Sequence, residues 1–325
     1  MTKTNKFIIG VVSVVVLGLP TVYLYAPEWV EKISSEVSVV LTRQDVSLVF
    51  VGDIMMDRGV ESSVYKNLDG DFNRLFEGVS FIKEADIAFA NLEGPVSDVG
   101  YNVGSIYSFR MKPASLTAVK DAGFDVLSVA NNHAGDWALP AFSDTLKRLD
   151  GLDILAVGGG QNFNEASEVK IKEVGGVKIG FLAFSDVGPK WLGATDEQAG
   201  ILLASDPRLP EIIKKASESV DVLVVSYHFG EEYKTHSNSR QQFLARQAID
   251  SGAKIVVGHH PHVIQETETY KNGVIAYSLG NFIFDQNFSS ETMEGGVWEV
   301  LLDGKKIKSA ELKKVHLNNF FQPVF

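Results

Sequence analysis

Three histidines in four positions, in Gly258-His259-His260-Pro261-His262, are the densest chemistry in this sequence. Packing does not explain them, and neutral imidazole is the commonest metal ligand. In extended backbone His260 and His262 would face one side, which predicts a metal- or phosphate-binding pair. Five other segments carry related chemistry. Gly52-Asp53 offers a carboxylate for a divalent cation, and Arg58 a planar fork for an anionic substrate. Asn91-Leu92-Glu93 sets an amide and a carboxylate two residues apart. Asn131-Asn132-His133 places an amide ligand beside a proton donor, with Asp136 near enough to orient the imidazole. Ser226-Tyr227-His228 ends in a lone histidine. Ser278-Leu279-Gly280-Asn281 is read as a pocket floor, with Asn281 toward substrate.

Taken singly, these segments also read as helix caps, polar turns or sheet-edge histidines. Their distribution argues otherwise. Of seven histidines, His133, His228, His259, His260 and His262 fall in them, and only His236 and His316 lie elsewhere. The ligand candidates are therefore Asp53, the Asn91 and Glu93 pair, an amide of Asn131-Asn132, His228 and the histidine run. Carboxylate, amide and imidazole without thiolate suit Mn, Fe or Zn. One or two such ions can activate a water and stabilise the leaving oxygen of an in-line phosphoryl displacement.

Stepping outward from these residues, each segment follows a short apolar run. Richness in Val, Ile and Phe predicts buried strands over 46–51, 86–90, 125–130, 153–157, 177–184, 221–227, 254–257 and 274–279. Between them, 72–84, 113–122, 139–150, 206–219 and 239–251 read as helices. This alternation predicts an α/β fold with right-handed crossovers. Sites in such sheets form where loops leave the carboxyl ends of strands. Residues 296–315 read as a hairpin turning at Asp303-Gly304. One domain is expected from residue 46 to 325.

The chain has 325 residues, no cysteine and a net charge of −11. The absence of cysteine excludes disulfides, thiolate metal sites, iron–sulfur clusters and a cysteine nucleophile. A 45% hydrophobic content argues against intrinsic disorder. The acidic balance argues against a nucleic-acid partner. Residues 7–26 form a 20-residue run without charge, long enough for one membrane-spanning helix. Lys3 and Lys6 precede it, so the positive-inside rule puts residues 1–6 in the cytoplasm and the main domain outside the cell membrane. A cleaved signal peptide is the rival, but Leu24-Tyr25-Ala26 lacks the small-x-small pattern. Residues 27–45 read as a linker. The part beyond Ala26 carries 28 basic and 41 acidic residues, or −13.

Residues 46–285 resemble the CapA family of poly-γ-glutamate capsule biosynthesis proteins. The resemblance rests on Gly52-Asp53-Ile54-Met55, Asn91-Leu92-Glu93, Asn131-Asn132-His133, His228-Phe229-Gly230-Glu231-Glu232, Gly258-His259-His260-Pro261-His262 and Ser278-Leu279-Gly280-Asn281-Phe282. An N-terminal membrane anchor is usual in that family. The family in turn resembles the calcineurin-like metallophosphoesterases, which implies a two-sheet sandwich flanked by helices. By that likeness Asp53, Asn132, His228, His260 and His262 would be metal ligands, His133 the general acid and Asp136 its displaced partner. Met55 stands where the phosphoesterases have a second histidine ligand, and Glu93 is the nearest substitute for their bridging aspartate. Both departures fall on one metal position, leaving the other intact.

Three functions are expected from these features. The first is a membrane-anchored component of polyglutamate capsule synthesis or export, partnered by other membrane subunits or by the anionic polymer. The second is a metal-dependent phosphoester hydrolase unrelated to capsule. The third is a binding scaffold without turnover. A polyanion and a −13 domain repel at long range, so cations or the lysines at 112, 170–172, 305–308 and 313–314 would have to offset that field.

Overall fold

The structure is a computed structural model that describes residues 45–325. The expected tip, anchor and nearly all of the linker lie outside the described residues. Among those described, no helix is long and apolar enough to cross a membrane.

The first part of the chain alternates strand and helix. It runs β1 (Val46–Ile54), α1 (Arg58–Asn67), β2 (Ile87–Leu92), α2 (Pro113–Asp121), β3 (Val126–Ser128), α3 (Ala138–Gly151) and β4 (Leu155–Val157). A two-residue strand β5 (Gly159–Gly160) precedes the hairpin of β6 (Lys170–Val174) and β7 (Val177–Ser185), and β8 (Gly200–Ile201) pairs back to β5. Next come α4 (Leu209–Ser217), β9 (Val222–His228), α5 (Ser239–Asp250), β10 (Ile255–His259), β11 (Thr267–Tyr270) and β12 (Gly273–Ala276). The last strands are β13 (Asn281–Ile283), β14 (Glu294–Asp303), β15 (Lys306–Leu317) and β16 (Pro323–Val324).

Two mixed sheets result. The eight-stranded sheet has the order β16-β15-β14-β1-β2-β3-β4, with β13 also parallel to β1. The six-stranded sheet has the order β11-β12-β10-β9-β7-β6. Their central strands are parallel, as βαβ crossovers require. Phe50 and Phe89 of the first sheet and Phe181 of the second meet in one apolar cluster, with Phe89 stacked on Phe181 at 6.1 Å. A second cluster fills the space between the six-stranded sheet and α4 and α5, through Leu209, Ile213, Leu244 and Ala248. The outer strands β6 and β11 are short and carry charge, Lys170, Lys172 and Glu173 on one and Glu268 on the other, which blunts the sheet edges.

All eight expected strand runs are present, with shifted ends. Two local expectations need correction, and one helix is added. Residues 72–84 do not form one helix: a 3-10 turn at Phe72–Phe76 and a short helix at Phe81–Glu84 flank Gly78, a poor helix former. The added helix is α1, which Asp57 caps by accepting from the Arg58 N–H. The run 274–279 leaves strand geometry after Ala276, and the chain crosses from the second sheet to the first before Asn281 opens β13.

Candidate metal centre

Each sheet delivers polar residues in register where β1, β2, β9 and β10 end and β13 begins. Asp53 on β1 lies beside Asn91 on β2 and Asn281 on β13. His228 on β9 lies beside His259 on β10. All five are fully buried or nearly so. Two glycines permit the close approaches. A Cβ at Gly52 would fall 1.9 Å from the Gly280 carbonyl oxygen, and one at Gly258 2.0 Å from that of Tyr277. Each immediately precedes a site residue, so only glycine brings these strand ends together.

Asn91 ties the first sheet's carboxylates together. Its amide donates to Asp53 Oδ1 (2.8 Å) and Glu93 Oε2 (3.3 Å), and its own oxygen accepts from Asn131 (3.1 Å). Asn132 joins the second sheet's histidine, with Oδ1 2.7 Å from His228 Nε2. His262 Nδ1 lies 3.0 Å from Asn281 Oδ1 and 3.4 Å from Asp53 Oδ2, while its Nε2 is 3.6 Å from Glu93 Oε1. Donation of Nδ1–H to Asn281 turns Nε2 toward Glu93. Asn281 is itself held by Gln286 and the Thr292 carbonyl.

His260 and His262 converge, with ring centroids 5.9 Å apart. The extended backbone expected for them is not what brings this about. Both sit at positive φ, 98° and 58°, so a left-handed turn around Pro261 aims them. Such conformations cost of order 1–3 kcal/mol each and persist only where surroundings enforce them.

Two groups of groups with metal-ligating atoms emerge. Asp53, Glu93 and His228 form an inner one, and Glu232, His260 and His262 an outer one. Within each, the ligand atoms lie within 4.8 Å of one another. Burial leaves several donors stranded. Glu93 Oε1, both ring nitrogens of His259 and His260 Nδ1 are buried without a hydrogen-bond partner. His259 Nδ1 is 3.3 Å from Asp53 Oδ1, near enough for charge but not hydrogen bonded. An unpartnered buried acceptor such as Glu93 Oε1 is costly, and a divalent cation would satisfy it.

The proton balance agrees. Burial opposes ionisation of Asp53, but His259 and His262 outweigh it and hold the carboxyl well below its usual range. Burial, then the Asp53 charge, pushes Glu93 well above its usual range. Burial and the neighbouring His260 keep His228 neutral. Burial and His262 bring His260 down to about 3. Burial would lower His262, yet the Glu93 and Asp53 carboxylates raise it to about 9. The raised His262 places positive charge where a cation would otherwise sit.

His133 stands beside these groups. Its Nδ1 meets Asp136 Oδ2 at 2.7 Å, and its Nε2 is 3.9 Å from Glu93 Oε1. The Phe109 ring lies against the imidazole, centroids 4.1 Å apart. Asp136 also accepts from the Phe109 N–H (3.0 Å) and the Ser105 hydroxyl (3.1 Å), so it holds both the imidazole and the 97–110 segment. Arg58 lies over Phe109 at 4.6 Å and is paired with Asp285 through two nitrogens. Met55 packs with Phe109 and Phe284 in a small apolar cluster, which accounts for a thioether at that position. An open groove of about 870 Å³ extends from Asn132 and Asp136 past Tyr101, Pro189 and Trp191.

The structure thus gathers Asp53, Glu93, Asn132, His133, His228, His260 and His262, with Asp136 and Asn281 behind His133 and His262. Sequence reasoning passed over three residues. Asn91 was quoted only as part of a motif, although its register with Asp53 follows from adjacent parallel strands. His259 was counted among the clustered histidines without a role. Glu232 was quoted within the His228-Phe229-Gly230-Glu231-Glu232 motif and given no role.

Comparison with known proteins places these observations. The family model described as bacterial capsule synthesis protein PGA_cap matches residues 47–286. The capsule biosynthesis protein CapA of Bacillus anthracis is 37% identical over 286 residues, covering 85% of this chain and 69% of that one. The PGA biosynthesis protein CapA of Bacillus subtilis is 36% identical over 293 residues, covering 88% and 74%. Among solved structures, a phosphatase from Mycoplasma pneumoniae has a TM-score of 0.53 at 14% identity, covering 84% of this chain and 94% of that one. The calcineurin-like phosphoesterase YfkN of Bacillus subtilis has a TM-score of 0.50 at 16% identity, covering 84% and 90%. The fold is therefore that of the calcineurin-like phosphoesterases, and the chain belongs to the bacterial capsule synthesis protein PGA_cap family.

Proposed function

We propose that this protein is a membrane-anchored component of polyglutamate capsule synthesis or export, and that its site is a divalent-metal-dependent phosphoester hydrolase. The observation that carries the hydrolase reading is the buried, unpartnered Glu93 oxygen among Asp53, His228 and His262, with the His133–Asp136 pair alongside. Asp53, Glu93, Asn132, His228, His260 and His262 would hold one or two ions of Mn, Fe or Zn. Bound there, the metal would supply Lewis acidity and a low-pKa water.

The chain's own residues do the rest. Asp136 accepts the His133 Nδ1–H and fixes the tautomer and tilt of the ring. Phe109 blocks one face of that ring. As an imidazolium, His133 then presents Nε2–H to a leaving oxygen. The groove at Asn132 and Asp136 would receive the body of the substrate, with Tyr101 and Trp191 as exposed stacking faces.

The capsule reading is supported by the named relatives, and the anchor by the uncharged run over 7–26 with lysines on one side only. Partners would be other membrane subunits or the anionic polymer. Direct grip by surface lysines is disfavoured: Lys112, Lys172, Lys305, Lys313 and Lys314 pair with Glu61, Asp125, Asp221, Glu299 and Glu294. Bound divalent cations are a better bridge to a carboxylate polymer. A scaffold reading draws on Met55, whose apolar cluster takes the place of a ligand.

A phosphodiester reporter, bis(p-nitrophenyl) phosphate, with Mn²⁺ separates these readings. Wild type is expected to turn over. His260→Ala should lose the activity with its metal, and His133→Gln should lose roughly a hundredfold or more in kcat with metal retained. Background turnover in all three would sink the hydrolase and leave the scaffold.

A further inference from the structure

We infer that Glu232 is a metal ligand of the outer group, completing with His260 and His262 a second cation position. The inference deepens the reading above and rests on it. Glu232 belongs to the loop between β9 and α5. Its carboxylate offers an oxygen within 4.8 Å of the ligand nitrogens of both histidines.

Two further observations converge on the same place. His260 is 93% buried, and its Nδ1 has no hydrogen-bond partner. The loop is also fastened to the histidine turn, because the Tyr233 N–H donates to the Pro261 carbonyl at 2.8 Å. Tyr233 adopts φ 63°, so this junction, like the turn at His260 and His262, is held in left-handed backbone. The neighbouring carboxylate is used differently: Glu231 accepts from Asn238 Nδ2 at 3.4 Å.

The chemistry suits the position. Two neutral imidazoles bring no charge, so a carboxylate there adds the charge complement and oxygen ligand that suit Mn²⁺. Glu232 provides it on an exposed loop that water and exchanging ions can reach.

Metal counting and Mn²⁺ titration calorimetry on the purified full-length chain test this without reference to turnover. Wild type is expected to hold two Mn²⁺, and Glu232→Gln one. The lost site should weaken by more than the tenfold to hundredfold typical of removing an outer-shell partner, about that range being the floor. Glu232→Asp should restore binding in part, and Glu231→Gln should match wild type. Glu232 is exposed, so neither change threatens the fold. Should wild type hold a single ion, its weakening in Glu232→Gln still supports the assignment. Mn²⁺ binding in Glu232→Gln equal to wild type overturns the assignment alone. No Mn²⁺ in wild type overturns both the assignment and the metal-dependent hydrolase.

Discussion

The inner and outer cation groups are built from different material. Asp53, Glu93 and His228 are all fully buried and sit at or just past the ends of β1, β2 and β9. Their backbone is fixed by strand register, and Asn91 bonds the two carboxylates into one unit. His260, His262 and Glu232 come from a left-handed turn and an exposed loop. The inner group is thus set by the fold, whereas the outer one is set by local turns laid over it. Ladders are shared among many residues, but a turn can be altered with little effect on the sheets.

The strongest way to break this comparison is at Asp53. Asp53→Asn keeps the shape but removes the charge that both groups share through His262. Turnover should fall about a thousandfold or more, since several kcal/mol of charge stabilisation is lost. Retention of both ions and of activity in that variant would refute a common anchor. A gentler cut is Asn281→Ala, which removes the acceptor for His262 Nδ1. Outer-group affinity for Mn²⁺ should weaken by roughly tenfold to hundredfold, with the inner ion unchanged, as read by titration calorimetry. Equal weakening at both positions would show that the two groups are not separable.

The smallest expected effect is in the metal-free protein. His262 is raised to about 9 by burial-opposing carboxylates, above its unfolded value near 6.5. A group raised in this way stabilises the fold fully below pH 6.5, and that contribution disappears as pH rises through 9. Chelator-treated protein should therefore melt a few degrees lower at pH 9.5 than at pH 6.5. Mn²⁺ should reduce the difference, because a cation replaces the proton. A melting temperature that rises with pH over this window would contradict the pairing of His262 with Glu93 and Asp53.

Much of this site was legible because the chain writes each ligand directly after an apolar strand. Asp53, His228 and the histidine run needed only that pattern. Convergence of His260 and His262 was expected for the wrong reason, since period-two alternation does not describe two residues at φ 98° and 58°. Asn91 and His259 were under-read because their importance lies in neighbours across strands, 38 residues from Asp53 in the first case. Glu232 was illegible because a loop carboxylate gains meaning only once another loop is seated against it. Helix α1 was missed for a related reason: Asp57 caps it while also accepting from the Arg110 N–H, a contact 53 residues away. The anchor over 7–26 remains a sequence reading, outside the described residues.

Asp136 carries a consequence in time rather than in space. It holds the His133 imidazole with an oxygen that also accepts from Phe109, while its other oxygen accepts from Ser105. Lifting residues 105–109 would strip two of its three partners at once and withdraw the ring that shields His133. Opening the segment to admit or release a molecule would then disarm the proton donor in the same motion, and reseating would rearm it. Hydrogen exchange at the Phe109 N–H, slowed by a bound phosphate analogue, would report that cycle; exchange indifferent to the analogue would rule it out. Coupled in this way, the segment would act as a clock for the donor, confining proton transfer to the seated state.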